Sequence, residues 1–318
     1  MTTDFSLREW RARASRYFRR ADLQELGAGI FQAGLDLALQ RDTETGSADG
    51  VEGRDPELVE LVLDLSRFVG ERWFRYRVEG VEHVPEQGAA LLVGSHNGGL
   101  QTFDSLLTLV AIRDRYGIER AVHPLAHDLL FQRPRIREIT VGFGALRADH
   151  GAARAALQKG RLVLVYPGSD LDSTRPFRDR HRIELGGRTG FLKLALAARV
   201  PIVPVVSVGT HEQFIVLTRG DSLARMFSFK RHFRAEVFPI VLSLPWGITS
   251  GFLPYLPLPA QTTVRFGAPI AVDDWPSSAA DDPHALRALY ERVRERMQAE
   301  LDVLSAGRVP FLGRWPGR

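Results

Sequence analysis

The chain contains no cysteine. Disulfides, thiolate metal sites and a cysteine nucleophile are therefore excluded. Lysine is almost absent as well, with Lys159, Lys193 and Lys230 the only three, so the formal charge of +4 rests on arginine. Arginine's planar fork pairs bidentately with phosphate, which suits anionic head groups or nucleotides. No Gly-rich phosphate loop ending in Lys-Ser/Thr occurs, nor a Gly-x-Ser-x-Gly elbow, nor a repeat of fixed period. The opening residues, MTTDFSLREW, are charged and carry no apolar core, so no secretory signal is expected and a cytosolic face is. Nor is there an uninterrupted membrane-length apolar run. The longest uncharged stretch lies between Glu236 and Arg265 and is broken by Pro239, Pro245, Pro254, Pro257 and Pro259. Prolines at that density prevent a continuous helix, and irregular backbone is not tolerated in hydrocarbon. The stretch reads instead as a shallow membrane-dipping or substrate-lining segment, with Phe238, Trp246, Phe252 and Tyr255 suited to a membrane–water interface.

What is present is a chain of 318 residues that is 44% hydrophobic, enough for a full core. Residues 1–54 read as a basic helical arm and linker: six arginines from Arg8 to Arg20 interleave with Trp10, Tyr17 and Phe18, and a polar acidic stretch, DTETGSADGVEGRD, follows. Such an arm suits anionic lipid. Residues 55–305 form the expected catalytic domain and 306–318 a C-terminal tail. Pro56 opens an amphipathic helix. Short apolar runs at 89–95, 121–126, 162–166, 202–208 and 263–266 then alternate with helical stretches, among them 128–138 (interrupted at Pro134), 190–198 and 283–304. This alternation predicts an α/β fold, with a mostly parallel central sheet flanked by helices and an N-terminal helical segment.

Two segments carry chemistry. Gly94 to Leu107, GSHNGGLQTFDSLL, puts His96 at the C-terminal end of a buried strand and Asp104 early in the next helix. A histidine oriented by a carboxylate is a general base. A second buried strand ends in Tyr166-Pro167-Gly168-Ser169-Asp170 and runs into a loop rich in arginine, including Arg175 and Arg182, which suits a phosphate-bearing ligand. Ser95 and Ser169 also admit a Ser/His hydrolase. His123, His127 and His150 do not make a tight metal-ligand spacing and read as structural.

In order and spacing these blocks resemble the glycerolipid acyltransferase superfamily, which includes the lysophosphatidate acyltransferases. Ser95-His96-Asn97-Gly98-Gly99 with Asp104 is similar to its His-x4-Asp block. Gly142 to Arg147 (GFGALR) resembles its phosphate-binding block, Tyr166 to Asp170 its Phe-Pro-Glu-Gly block, and Val200-Pro201-Ile202-Val203-Pro204 its last, apolar block. The likeness covers roughly residues 75 to 275. It departs from the pattern in two places: Gln101 stands where the family's aspartate does, with Asp104 eight positions after the histidine, and the glutamate of the third block is missing. Tyr-Pro-Gly-Ser-Asp looks closer to branches that acylate neutral acceptors. The resemblance implies a glycerol-3-phosphate acyltransferase-like fold and direct acyl transfer from acyl-CoA or acyl carrier protein, as co-substrate without a further cofactor, to a lipid hydroxyl. His96 would be the base and Asp104 its orienting acid. Arg147, Tyr166, Pro167, Gly168, Ser169, Asp170, Arg175 and Arg182 would contact substrate. The expected partners are an acyl thioester, a lipid acceptor and a membrane surface that the protein meets as a peripheral or monotopic protein; nucleic acid is not expected. A catalytically weak lipid- or acyl-CoA-binding protein on the same fold is the alternative.

Overall fold

The computed structural model describes residues 6–16, 50–96, 102–132, 134–222, 237–251, 253 and 255–314. Its central sheet contains β1 (Arg77–Glu79), β2 (Ala90–Gly94), β3 (Val122–Ala126), β4 (Leu146–Arg147), β5 (Leu162–Val165), β6 (Ile202–Val208) and, after a separate three-stranded sheet, β10 (Thr263–Phe266). The strands lie in the order β1-β10-β6-β2-β5-β3-β4. From β6 to β4 the strands are parallel, whereas β10 pairs antiparallel with β6 and β1 runs with β10.

Central strand β2 shows why the sheet is covered on both faces. Every residue of Ala90–Gly94 is buried, and side chains alternate between faces along a strand. Leu91 and Val93 pack into one core with Val163, Ile202 and Val206 of the neighbouring strands. Helices α5 (His150–Gln158), α7 (Gly190–Ala198) and α9 (Pro283–Ser305) cover that side. Ala90 and Leu92 enter the other core with Leu164, Val203 and Phe266, beneath α2 (Pro56–Arg72) and α3 (Phe103–Tyr116). Burying a leucine side chain fully contributes roughly 1.5–3 kcal/mol, so the continuous apolar runs supply much of the drive to form this sheet. Asp55 and Asp282 cap α2 and α9, accepting two backbone N–H groups and one respectively, each ahead of a proline at the helix start.

The crossovers create the opening. From β2 the chain passes through α3 to β3 on one face, whereas from adjacent β5 it passes through α7 to β6 on the other. Neighbouring strands whose connections leave to opposite faces are separated by a crevice at their C-terminal ends.

Four segments differ in detail from the expected pattern. The stretch 128–138 divides into a 3-10 turn (Asp128–Phe131) and α4 (Pro134–Gly142), because proline pre-sets the first turn of a helix but cannot continue one. The arm is described from Ser6 to Arg16 only. There, α1 (Leu7–Ala14) lies against α2: the Trp10 indole donates to the Leu61 carbonyl at 2.9 Å, and Arg16 pairs with Glu57. Tyr17, Phe18, Arg19, Arg20 and most of the acidic linker fall outside the described residues. The proline-rich stretch is a hairpin, β8 (Ile240–Ser243) and β9 (Gly247–Ser250), turning through a cis Leu244–Pro245 bond and pairing with β7 (Ile215–Thr218). Among the described residues no helix is long and apolar enough to cross a membrane.

The residues expected to form a tail also fold back. Two short strands, β11 (Arg308–Val309) and β12 (Gly313–Arg314), bring the Arg308 guanidinium onto Glu212 of α8 (Thr210–Gln213), bidentately at 2.7 and 3.2 Å, with both side chains 2% exposed. A buried ion left without its partner costs about 3–5 kcal/mol. Arg308→Ala is accordingly expected to lower unfolding stability by about that amount in urea titrations. A loss under about 1 kcal/mol, the ceiling for an exposed pair, would show that the segment contributes nothing to the fold.

Candidate active site

Strands β2 and β5 end side by side, and the two side chains that emerge from them meet. The His96 imidazole stacks on the Tyr166 ring with centroids 3.8 Å apart and planes 5° from parallel. Gly94 makes this possible, since a Cβ at that position would lie 2.3 Å from a Tyr166 ring carbon. The Asp104 carboxylate, 2% exposed in the first turn of α3, reaches His96 from the third side. Its Oδ1 accepts the Ser105 N–H at 2.8 Å, and its Oδ2 accepts from His96 Nδ1 at 3.1 Å. The eight-residue spacing therefore does bring this acid to the imidazole. Asn97, Gly98, Gly99 and Gln101, which the motif places between them, lie outside the described residues.

A proton on Nδ1 donated to Asp104 leaves Nε2 as the basic nitrogen. The His96 side chain keeps 16% exposure. Burial opposes its charged form, but the Asp104 charge and hydrogen bond, helped by Asp172, outweigh this and raise its pKa above that of an ordinary histidine. Burial, with Asp104 adding to it, drives the Tyr166 phenol far above the usual tyrosine range, so the ring stays neutral.

Beneath the pair lies a polar cluster that reading the sequence missed. Asp172 of α6 (Ser169–Ser173) is fully buried. It accepts the backbone N–H of His96, the Ser95 hydroxyl at 3.1 Å and the Arg175 guanidinium at 2.6 Å. Arg175 continues the chain, donating to His211 Nε2 of α8 at 2.9 Å. Burial pushes the Asp172 carboxyl up to about 6, while Arg175, His96 and Ser95 hold it down, so it is charged at neutral pH. Burial, then the neighbouring Arg175 charge, keeps His211 neutral, consistent with its ring nitrogen accepting from Arg175. The sequence signal for this cluster was the Asp-x-x-Arg spacing of 172 and 175, one helical turn apart. His211 had no local signal.

The remaining candidates lie at different depths. Arg175, expected to face a ligand phosphate, is 3% exposed and directed to Asp172 and His211. Arg182 stands at the surface with its side chain 78% exposed. Arg147 ends edge strand β4, its guanidinium over the Phe131 ring at 4.7 Å and 3.6 Å from Asp128. Three strand spacings separate β4 from β2, roughly 15 Å. Asp170 faces Arg188 at 3.2 Å, and Arg188 also donates to the Pro167 carbonyl at 2.9 Å, which ties the loop to the turn. Ser169 adopts φ 51°, and its N–H, a candidate oxyanion donor, is turned to the Tyr166 carbonyl at 3.3 Å. A Cβ at Gly168 would lie 2.3 Å from the Glu184 carbonyl, which is why this turn takes glycine. The Ser95 hydroxyl donates to Asp172 rather than to an imidazole, an arrangement that does not activate it as a nucleophile. His123 is buried with Nδ1 on the Gly144 carbonyl at 2.8 Å, and His150 contacts the Gly190 carbonyl.

The residues of this site from Ser95 to Arg175 fall within a family match. The Acyltransferase family model matches residues 75–208, the span from β1 to the end of β6. An uncharacterized protein of Mycobacterium tuberculosis is 37% identical over 288 residues, covering 90% of this chain and 76% of its own. The chain belongs to the acyltransferase family. Further relatives include the chicken and human proteins named "DGAT1/2-independent enzyme synthesizing storage lipids". They are 25% and 27% identical, covering 76% and 72% of this chain and 71% and 62% of their own. Among solved structures, the 1-acyl-sn-glycerophosphate acyltransferase of Thermotoga maritima aligns over 92% of this chain and 98% of its own, at 16% identity and a TM-score of 0.49. Within the acyltransferase, His96, Asp104 and Tyr166 are thus brought together, Arg175 lies beneath them, and Arg147 and Arg182 occupy the periphery.

The His96–Asp104 pair sets a titration. NMR of the His96 ring should give a pKa above 6.5, and Asp104→Asn should lower it, because burial then acts without the opposing carboxylate. A group raised on folding contributes stability below its unfolded pKa and loses it as pH rises through the folded one. The unprotonated base becomes available over that same window. An unchanged His96 titration in Asp104→Asn would show that the pair is not electrostatically coupled.

Proposed function

We propose that this acyltransferase transfers a fatty acyl group from a thioester, acyl-CoA or acyl carrier protein, to the hydroxyl of a glycerolipid or related lipid at a membrane surface. His96 is the general base. The observation that supports the reading is the Nδ1 contact to Asp104, which leaves Nε2 to take the hydroxyl proton. As the acceptor oxygen attacks the thioester carbonyl, Nε2 removes its proton and a tetrahedral oxyanion forms. Collapse breaks the C–S bond, and the thiolate recovers the proton from the imidazolium. Asp104 stabilises that imidazolium, and Tyr166 fixes the plane of the ring. No acyl-enzyme is required, in keeping with the absence of cysteine and with a Ser95 hydroxyl bound to Asp172.

The acceptor is best read as neutral. Arg175 directs its donors to Asp172, His211 and the His96 carbonyl, so a phosphate at that guanidinium would compete with a buried ion pair. The vertebrate relatives named as synthesizing storage lipids favour the same reading. Exposed Arg182 is placed to contact phosphates of the thioester donor.

The test is acyl transfer from labelled long-chain acyl-CoA to a panel of lysophosphatidate, monoacylglycerol, diacylglycerol and long-chain alcohol. Loss of the base should slow turnover by about 10²–10⁴-fold in a folded His96→Ala variant. Near-normal turnover in that variant would end the mechanism. Faster acylation of lysophosphatidate than of the uncharged acceptors would reverse the acceptor assignment.

A further inference from the structure

The three-stranded sheet β7–β8–β9 has an apolar outer face. Val216 and Val241 point inward onto Phe214 and Tyr255. Alternation along β8 sends Leu242 outward, with Ile248 directly opposite it in the register, and Leu217, at a bulge in β7, is exposed as well. Ile248 is 71% exposed and Trp246 53%, while Leu217, Leu242, Leu244 and Leu256 range from 41% to 56%. Leu244 and Leu256 are bridged, so the large apolar side chains adjoin one another. Single exposed leucines are ordinary, whereas a contiguous patch marks an interaction surface.

Position and charge indicate what covers it. Strand β7 follows α8, whose His211 belongs to the cluster under His96, and the turn Phe177–Asp179, just after Arg175, packs against β7. The face therefore borders the end of the main sheet where His96 emerges. That same turn presents Arg178, 83% exposed, with Arg182 close by at 78%. In sequence, the link between β7 and β8 includes Arg225, Lys230, Arg231 and Arg234 alongside Phe227, Phe229 and Phe233. Leucine, isoleucine and tryptophan rimmed by exposed arginine match the boundary of a bilayer carrying negative head groups.

We propose that the outer face of β7–β8–β9 is the docking surface for an anionic lipid bilayer, and that docking there presents the His96 crevice to the membrane. The inference rests on the reading that the acceptor is a lipid. It narrows the expectation of a membrane-dipping or substrate-lining segment to one face of a folded hairpin.

The experiment is co-sedimentation of the full chain with vesicles of phosphatidylcholine alone and of phosphatidylcholine with phosphatidylglycerol. The protein should pellet preferentially with the anionic vesicles. A Leu242→Glu/Ile248→Glu variant, altered at exposed positions, should melt like the parent and bind about tenfold or more weakly, since carboxylates cannot enter the interface cheaply. Lipids brominated in the acyl chain should quench Trp246, an effect lost in Trp246→Phe. Turnover of a short-chain, water-soluble donor and acceptor should be unchanged in the double variant, while turnover of a vesicle-borne acceptor should fall. A parent protein with no transferase activity that still binds vesicles would count against the proposed function and leave the docking face standing. Equal sedimentation of parent and double variant would overturn the docking proposal. So would a marked loss of melting temperature in the double variant, which would show the face covered by the chain itself, or a dimer that the variant dissolves, which would make it a contact between copies.

Discussion

A carboxylate removed from water must take its hydrogen bonds from the protein, and the geometry of this site follows from where Asp172 finds them. It takes one from the backbone of His96, one from Ser95 and a charged pair from Arg175. The main chain just past β2 is thereby held at a set height above the sheet, and the imidazole can only meet Tyr166 and Asp104 from there. Removing Arg175 would leave the Asp172 charge buried without its counter-ion.

The support continues outward. Arg175 leads to His211, which lies on the same short helix as Glu212, and Glu212 is clamped by Arg308 from the C-terminal strands. Ion pairs and hydrogen bonds thus connect residues far apart in sequence to the height and tilt of one histidine. Catalytic groups gain from such support because their own rotamers are then fixed before substrate arrives.

The same region separates two kinds of surface. Toward the sheet, Ser95, Asp172, Arg175 and His211 are joined by hydrogen bonds to one another. Toward solvent, β7–β8–β9 presents leucine and isoleucine beside exposed arginine. The proposed base lies on one side and the proposed docking face on the other, with α8 adjoining both.

The strands at 90–94, 162–165 and 202–208 were legible because buried parallel strands read as continuous apolar runs, and the family was legible because the His96, Tyr166 and Val200 blocks resemble its pattern and fall within the matched residues 75–208. The docked C-terminal strands were not, since a polar segment held by one buried arginine has the composition of a tail. Nor did the proline-rich run reveal a hairpin: proline excludes a helix there without saying which strands will pair. Asp172 went unnoticed in the sequence, and Arg175 read as a phosphate-facing cation, because local sequence records charge but not depth. The sequence by itself determined the residue types, the two apolar faces of β2 and the family. Only tertiary structure decided that Asp172 holds the His96 backbone and that Arg175 meets His211, because hydrogen bonds between residues 76 or 36 positions apart exist only once the sheet has brought them to one edge.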